Sequence, residues 1–258
     1  MSKIYIPSVK AREYSPLALN YIKGCDHGCL YCYVPNMMKR FNSKYVHHEV
    51  FTDVDYKEIE ASARKFQGID KQILLSFTTD PYSKQVIDQT RKVLEILNFY
   101  GHKVAILSKG GKRCLRDIEI FKKFGDRIKV GASLTFDNNK DSRIWEHGAA
   151  LPGERVEALK TLSENGIKTW ASFEPVIIPG QTLNLIEIVS GFIDHVKIGK
   201  LNNYKGLDKE INWSKFLDDA VNKCRTCGVK FYIKKDLLAF NRVTLLHDHE
   251  IDQDHLSL

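Results

Sequence analysis

From residue 70 onward the chain alternates short apolar runs with longer amphipathic segments, and this alternation restricts the fold more than any other feature. Ile73-Leu74-Leu75-Ser76-Phe77 reads as a buried strand. Residues 84–99 follow, with Val86, Ile87, Val93, Leu94 and Leu97 at helical spacing. The pattern then predicts strands over 103–108, 129–134, 169–173, 195–198 and 230–233, and helices over 113–124, 154–165, 183–192 and 212–225. Gly110-Gly111, Gly166 and Pro179-Gly180 punctuate it. Upstream, 17–22 reads as the first strand and 56–66 as the first helix. Strand–helix–strand repetition at this spacing requires right-handed crossovers, and hence a parallel sheet. Six βα units plus one further helix and strand are too few for a closed eightfold barrel. No GxGxxG follows the first strand, so dinucleotide binding has no support. The expected fold is α/β, a partial (β/α)6 TIM-like barrel. It would occupy residues 17–200, after an N-terminal extension over 1–16. A short C-terminal helix–strand extension with a polar, frayed tail would fill 201–258.

Composition excludes several classes. Of 258 residues, 43% are apolar and 28% charged, the mix of a globular chain rather than a disordered one. No apolar run approaches the roughly 18–20 residues that span a bilayer, so no membrane association is expected. Met1-Ser2-Lys3-Ile4-Tyr5-Ile6-Pro7 lacks the apolar core of a secretory signal. A cytoplasmic location is the expectation, with the six cysteines as free thiols or metal ligands.

Directly after the first strand comes Gly24-Cys25-Asp26-His27-Gly28-Cys29-Leu30-Tyr31-Cys32-Tyr33. Three thiols on one short loop can converge on one small metal centre, with Gly24 and Gly28 freeing the backbone to wrap it. An iron–sulfur cube ligated by three local thiolates would keep one iron open. A zinc site with His27 as fourth ligand, or three buried free thiols, are the other readings.

The loop resembles the C-x3-C-x-aromatic-C pattern of the radical S-adenosylmethionine (SAM) enzymes, residue by residue at Cys25, Cys29 and Cys32. The resemblance implies a 4Fe–4S cluster on those cysteines whose open iron chelates the amino and carboxylate groups of SAM. One electron would then cleave SAM to methionine and a 5′-deoxyadenosyl radical that abstracts a substrate hydrogen. A donor such as flavodoxin or ferredoxin would supply the electron. Within the family, residues 17–200 are similar to the spore photoproduct lyase-related branch. The similarity rests on Asn20-Tyr21-Ile22-Lys23-Gly24-Cys25, Ser76-Phe77-Thr78-Thr79-Asp80-Pro81-Tyr82, Leu107-Ser108-Lys109 and the Pro175 to Gly180 segment. Two departures point away from repair of the thymine photoproduct itself. Phe77 and neighbouring Ser and Thr stand where the lyase carries its hydrogen-donor cysteine. Only 24 residues precede Cys25, where the lyase has a sizeable region.

The resemblance also suggests site residues, each with a plainer reading. Tyr31 abuts the third ligand. Thr78, Thr79 and Asp80 would hold the SAM amino group, or else cap the next helix. Lys109 would meet the carboxylate, or be an exposed loop lysine. Ser133 and Arg143 would bind ribose and carboxylate, and Ile177 and Ile198 would flank adenine, although a solvated Arg143 and ordinary strand packing account for the same residues. Tyr82 and Tyr204 are the candidates for hydrogen transfer. Cys224, Cys227 and Cys114 would form an auxiliary cluster or remain semi-buried thiols.

Residues 101–130 hold nine Lys or Arg against three Asp or Glu, a net of 9 − 3 = +6. Lys109, Lys112 and Arg113, with Lys39, Arg40 and Lys44, would rim the barrel mouth and suit phosphates. A nucleic acid or nucleotide substrate is therefore expected. The alternatives are a radical SAM enzyme for a peptide or small molecule, and a non-enzymatic zinc-binding module.

Overall fold

The computed structural model describes residues 3–40, 49–202, 204 and 206–258. One sheet runs in chain order from β1 to β8: Ile4–Tyr5, Leu17–Leu19, Gln72–Leu75, Lys103–Ser108, Ile128–Ser133, Lys168–Val176, His195–Lys200 and Lys230–Ile233. β1 pairs antiparallel with β2, and β2 through β8 are parallel. Crossover helices Tyr56–Lys65, Ile87–Phe99, Ile118–Phe124, Pro152–Glu164, Pro179–Val189 and Trp213–Thr226 follow the alternation read from the sequence. The fold is the expected partial barrel, with β8 as its extension.

Boundaries shift where local chemistry differs from the pattern. β6 runs through Pro175 to Val176 because its pairing with β7 changes register between Phe173 and Val176, which frees the proline from the ladder. The helix predicted over 113–124 is a 3-10 segment, Gly111–Asp117, before the α-helix proper. Helices Val34–Arg40 and Asn139–Trp145 had no apolar stripe to announce them. Among the described residues no helix is long and apolar enough to cross a membrane.

Alternate residues of each strand face the lumen. Trp170 fills its middle against Ala18, Leu74 and Ala105, and its indole N–H donates to the Ile106 carbonyl at 2.9 Å. A Cβ at Gly131 would lie 2.5 Å from that indole nitrogen, so β5 must be bare there. Below Trp170 sit two buried lysines. Lys129 donates to the Leu256 carbonyl and Lys197 to the Glu13 carbonyl, each at 2.5 Å.

These bonds recruit both terminal segments. Glu13 accepts from the Tyr232 hydroxyl and the Lys235 N–H, both at 2.7 Å, bringing the N-terminal segment against the free edge of β8. The tail is packed rather than frayed. Arg12 grips Asp254 with two bonds, Arg225 grips buried Glu250, and the Leu258 N–H reaches Gln72. The sequence pattern missed this because the tail docks through charged and backbone groups, which leave no hydrophobic period. Cys224 and Cys114 are buried and Cys227 is half-buried. Among the described residues no three His, Cys, Asp or Glu side chains are gathered as ligands for a single ion.

Two tests follow from the lumen. Gly131→Ala should destabilise the protein by roughly 1–3 kcal/mol in denaturant unfolding, the range for overpacking. A variant as stable as the parent would mean that Trp170 is loosely held. Burial, reinforced by Lys234, lowers the Lys197 pKa from 10.5 to about 7. Between these values the unfolded chain holds a proton at this site that the folded chain lacks, so the group's cost is complete below pH 7 and disappears as pH rises toward 10.5. The unfolding free energy of wild type minus that of Lys197→Met should therefore rise from pH 7 to pH 10. The slope should not exceed about 1.4 kcal/mol per pH unit.

Candidate functional site

The loop after β2 is pinned on both sides. The Gly24 N–H donates to the Thr78 carbonyl at 3.1 Å, and the Thr78 hydroxyl donates to the Ile22 carbonyl at 2.6 Å. Gly24 has φ +92°, and a Cβ there would lie 1.9 Å from the Glu49 carbonyl oxygen. Opposite, the Leu30 N–H donates to Trp145 and the Gly148 N–H to the His27 carbonyl. A Cβ at Gly148 would approach the Asp26 oxygen to 2.3 Å. The loop thus carries Cys25, Cys29 and Cys32 at the C-terminal mouth of the barrel, where barrel sites are built. Burial pushes the Cys29 thiol up to about 12, and raises Cys25 and Cys32 as well. Cys29 lies within electrostatic reach of Cys25, Cys32 and Lys109.

Asp80 joins three elements. Its carboxylate accepts from the Ser108 hydroxyl and the Lys109 N–H, both at 2.6 Å, and from the Tyr82 N–H at 2.8 Å. The buried His27 ring stands 3.4 Å away. Burial favours the protonated carboxyl, but His27 and these donors outweigh it and hold Asp80 well below the usual carboxylate range. Arg113 donates to the Tyr82 carbonyl at 2.7 Å and reaches His27 at 3.0 Å. Beside this saturated carboxylate, the buried Thr79 hydroxyl has no hydrogen-bond partner. An orphaned buried hydroxyl is costly, and a ligand that hydrogen-bonded it would remove that cost. Three thiols on one loop, with the Lys109 ammonium near Cys29 and an unpartnered hydroxyl in the next loop, fit a sulfur-ligated cluster and an amino-acid-bearing cofactor.

Glu146 and Arg155 were missed by sequence reasoning. Arg155 donates to Glu146 at 2.5 Å, to the Ser133 carbonyl at 3.0 Å and to the Ala150 carbonyl at 2.8 Å. The Tyr31 hydroxyl donates to Glu146, and the Lys109 ammonium lies 5.5 Å over the Tyr31 ring. Burial acts to raise Glu146, but Arg155 and Lys109 keep it below its ordinary pKa. Burial acts to lower Lys109, and Cys29 and Glu146 more than reverse this. One signal was present: Arg155 occupies the apolar stripe of its helix with Ala158, Leu159 and Leu162, where a charge must be paired.

The structure places the remaining candidates as well. Arg143 is exposed on its helix, and it is Arg155 that meets Ser133. Tyr82 is fully buried outside the lumen, donating to Asp117 at 3.0 Å and packed edge-on against Phe121. Tyr204 lies against Trp145, 5.1 Å between ring centroids, behind Tyr31. Ile177 and Ile198 are buried in the core under the β6–β8 half. The basic rim is largely engaged: Lys112 pairs with Glu157 at 2.7 Å, Arg113 braces His27, and Lys109 is half-buried. Lys39 and Arg40 are exposed on the helix after the cysteine loop, and Lys44 lies outside the described residues.

The β6–β8 half of the mouth carries a second polar set. Lys234, nearly buried after β8, donates to Glu174 Oε2 at 2.5 Å, and the Tyr14 hydroxyl donates to the same oxygen. Tyr14 also contacts the Ser172 hydroxyl at 3.1 Å and meets Phe77 edge-on at 6.2 Å.

Removing one member of a buried ion pair strands the other's charge, at about 3–5 kcal/mol. Arg155→Met should cost that much in thermal or urea unfolding, and adding Glu146→Gln should restore a large part of it. Additive losses in the double variant would show that the two groups are not coupled.

The family model of the radical SAM superfamily matches residues 19–190. An uncharacterised protein of Methanocaldococcus jannaschii is 32% identical over 187 residues, covering 68% of this chain and 69% of that one. An uncharacterised protein of Acidianus two-tailed virus is 26% identical over 237 residues, covering 81% and 77%. A structure of spore photoproduct lyase with bound AdoMet and dinucleoside spore photoproduct aligns at TM-score 0.67 and 12% identity, over 89% of this chain and 78% of that one. Streptococcus suis SuiB bound to S-adenosylmethionine aligns at TM-score 0.61 and 15% identity, over 84% of this chain and 50% of that one. At these identities the two structures speak for the fold. The sequence match, spanning β2 to the helix after β6, decides the family: the chain belongs to the radical SAM superfamily of enzymes, which implies a 4Fe–4S cluster and S-adenosylmethionine as its cofactors.

Proposed function

We propose that this enzyme cleaves S-adenosylmethionine reductively at a cluster held by Cys25, Cys29 and Cys32, and acts on a nucleic acid or nucleotide. The observation that carries this reading is the pinned cysteine loop with the Lys109 ammonium beside Cys29 and the unpartnered Thr79 hydroxyl in the following loop. When bound, the cofactors supply a strongly oxidising carbon radical after one-electron reduction by a flavodoxin- or ferredoxin-type donor. The protein's own groups hold and orient them. Asp80 has its acceptors filled, so it keeps the loops after β2, β3 and β4 in register. Thr79 would offer its oxygen to the ammonium of bound SAM, and Lys109 would meet its carboxylate. Tyr31, Glu146 and Arg155 fix the ring beneath Lys109.

The nucleic-acid assignment draws support from the fold shared with a lyase crystallised with a dinucleoside photoproduct. A peptide or small-molecule substrate is the second reading, favoured by Arg113, which is held on the Tyr82 carbonyl and His27 instead of standing at the rim.

Substituting Cys25, Cys29 or Cys32 by Ala should abolish the cluster's visible absorbance and 5′-deoxyadenosine formation in anaerobically reconstituted protein. Cys224→Ala and Cys227→Ala should keep both. A full cluster in the triple variant would overturn the ligand assignment. With intact enzyme, single-stranded oligonucleotides or dinucleoside photoproduct should raise the yield of 5′-deoxyadenosine. No stimulation by either, together with stimulation by peptides or small metabolites, would transfer the assignment to the second reading.

A further inference from the structure

The cysteine loop reaches solvent beside the helix Asn139–Trp145, and that helix sorts its charges. Leu30, bonded covalently to Cys29, is 46% exposed, and its N–H donates to the Trp145 carbonyl at 2.9 Å. Ile144, the residue before that carbonyl, is 51% exposed. Lys140 and Arg143 are exposed as well, whereas Ser142 is buried. Positions 140, 143 and 144 share one helix face, so the two cations and Ile144 turn outward together. The acids of the same segment are engaged within the protein. Asp141 accepts from Gln181 at 2.6 Å and from Asn138 at 2.9 Å, and Asp137 accepts from Asn184 at 3.0 Å. Glu146 is buried on Arg155. The Lys140 and Arg143 side chains have no ion-pair partner among the described residues. Two exposed aliphatic side chains, one of them next to a cluster ligand, therefore stand beside two uncompensated cations.

We infer that this face, Leu30 with Lys140, Arg143 and Ile144, is where an acidic flavodoxin docks to deliver the electron that the cluster requires. The inference rests on the cluster reading above and names the partner's footprint on this chain. Electron tunnelling weakens steeply with distance, so a carrier must come close to a cluster ligand. Cys29 is buried, and Leu30 is the exposed residue bonded to it, which gives a short covalent route from solvent. The step balances without a proton: the anionic reduced flavin gives up one electron, and the cluster gains it. A flavodoxin presents the apolar edge of its flavin among carboxylates. Leu30 and Ile144 match the first, and Lys140 and Arg143 match the second. Redox encounters are weak, bury less than about 1,200 Å² and draw their orientation and rate from complementary charge. A nucleic-acid backbone would engage the cations and set its phosphates against the aliphatic pair, so the mixed face favours the protein partner.

The test uses the full chain, reconstituted anaerobically, with a purified acidic flavodoxin as the probe. Equilibrium binding of the oxidised flavodoxin, followed by calorimetry, should weaken by about tenfold or more in Lys140→Glu/Arg143→Glu, because like charges then face each other. Wild-type binding should also weaken between about 0.01 M and about 0.15 M salt, as the screening length falls from about 30 Å to about 8 Å. Lys122 and Lys123 are exposed on another helix, Ile118–Phe124. Reversing both of them to Glu should change the affinity by no more than about twofold, the effect of charges outside the contact. In turnover, Lys140→Glu/Arg143→Glu should raise the KM for reduced flavodoxin in 5′-deoxyadenosine formation and leave the rate with dithionite unchanged. Dithionite reports on the radical reading and flavodoxin on the docking, and the binding measurement needs no turnover, so failure of one is not mistaken for failure of the other. No binding by wild type at low salt would overturn the inference, as would unchanged affinity in Lys140→Glu/Arg143→Glu or an equal loss in the Lys122/Lys123 variant. Lost binding of a single-stranded oligonucleotide with flavodoxin affinity unchanged would overturn it too, and assign the face to nucleic acid.

Discussion

The Asp80 carboxylate is the point on which the mouth of the barrel depends. A buried carboxylate is costly unless its lone pairs are satisfied. Here they are met by Ser108 and Lys109 at the end of β4, by the Tyr82 N–H within its own loop, and by His27 from the cysteine loop. Three segments far apart in sequence must adopt one arrangement to satisfy one anion. Arg113 extends the constraint by holding His27 and the Tyr82 carbonyl together. The cysteine loop is therefore positioned by the protein's own groups, and Thr79, next to Asp80, keeps an unpartnered hydroxyl.

A second constraint acts from below. A parallel barrel short of eight βα units leaves a gap between its edge strands and an open lumen. This chain closes both with its termini. The segment around Glu13 lies against β8. The residues near Leu256 cap the strand starts. Buried Lys129 and Lys197 hold those segments by their carbonyls. A carbonyl is a weak partner for a buried ammonium, and burial accordingly lowers the pKa of both lysines. Trp170 fills the space between this floor and the mouth, leaving the upper lumen to Tyr14, Phe77, Glu174 and Lys234.

The two halves of the mouth thus divide the work. The β2–β5 side presents sulfur, a free hydroxyl and cationic groups. The β6–β8 side presents a charge-compensated carboxylate next to an aromatic wall. Buried pairs such as Glu146–Arg155 and Glu174–Lys234 add little net stability over apolar packing. Their value lies in fixing Tyr31 and Tyr14, the rings that border each half.

The architecture and the chemistry of one loop are legible in the chain alone. Alternating apolar runs and amphipathic segments imply a parallel sheet because crossover handedness admits few other solutions. Three cysteines in eight residues are brought together by the covalent chain, whatever the rest of the fold does. Tertiary packing set the rest. It decided that Arg155, not Arg143, reaches Ser133, because both lie on helices and only burial distinguishes them. It decided that Tyr82 faces Asp117 in the helical shell while Tyr14 faces the lumen. It spent Lys112 and Arg113 on internal partners that no charge count could reveal. The docking of the tail was equally hidden. Such long-range polar contacts carry no period along the chain, since each depends on where two distant backbones come to lie.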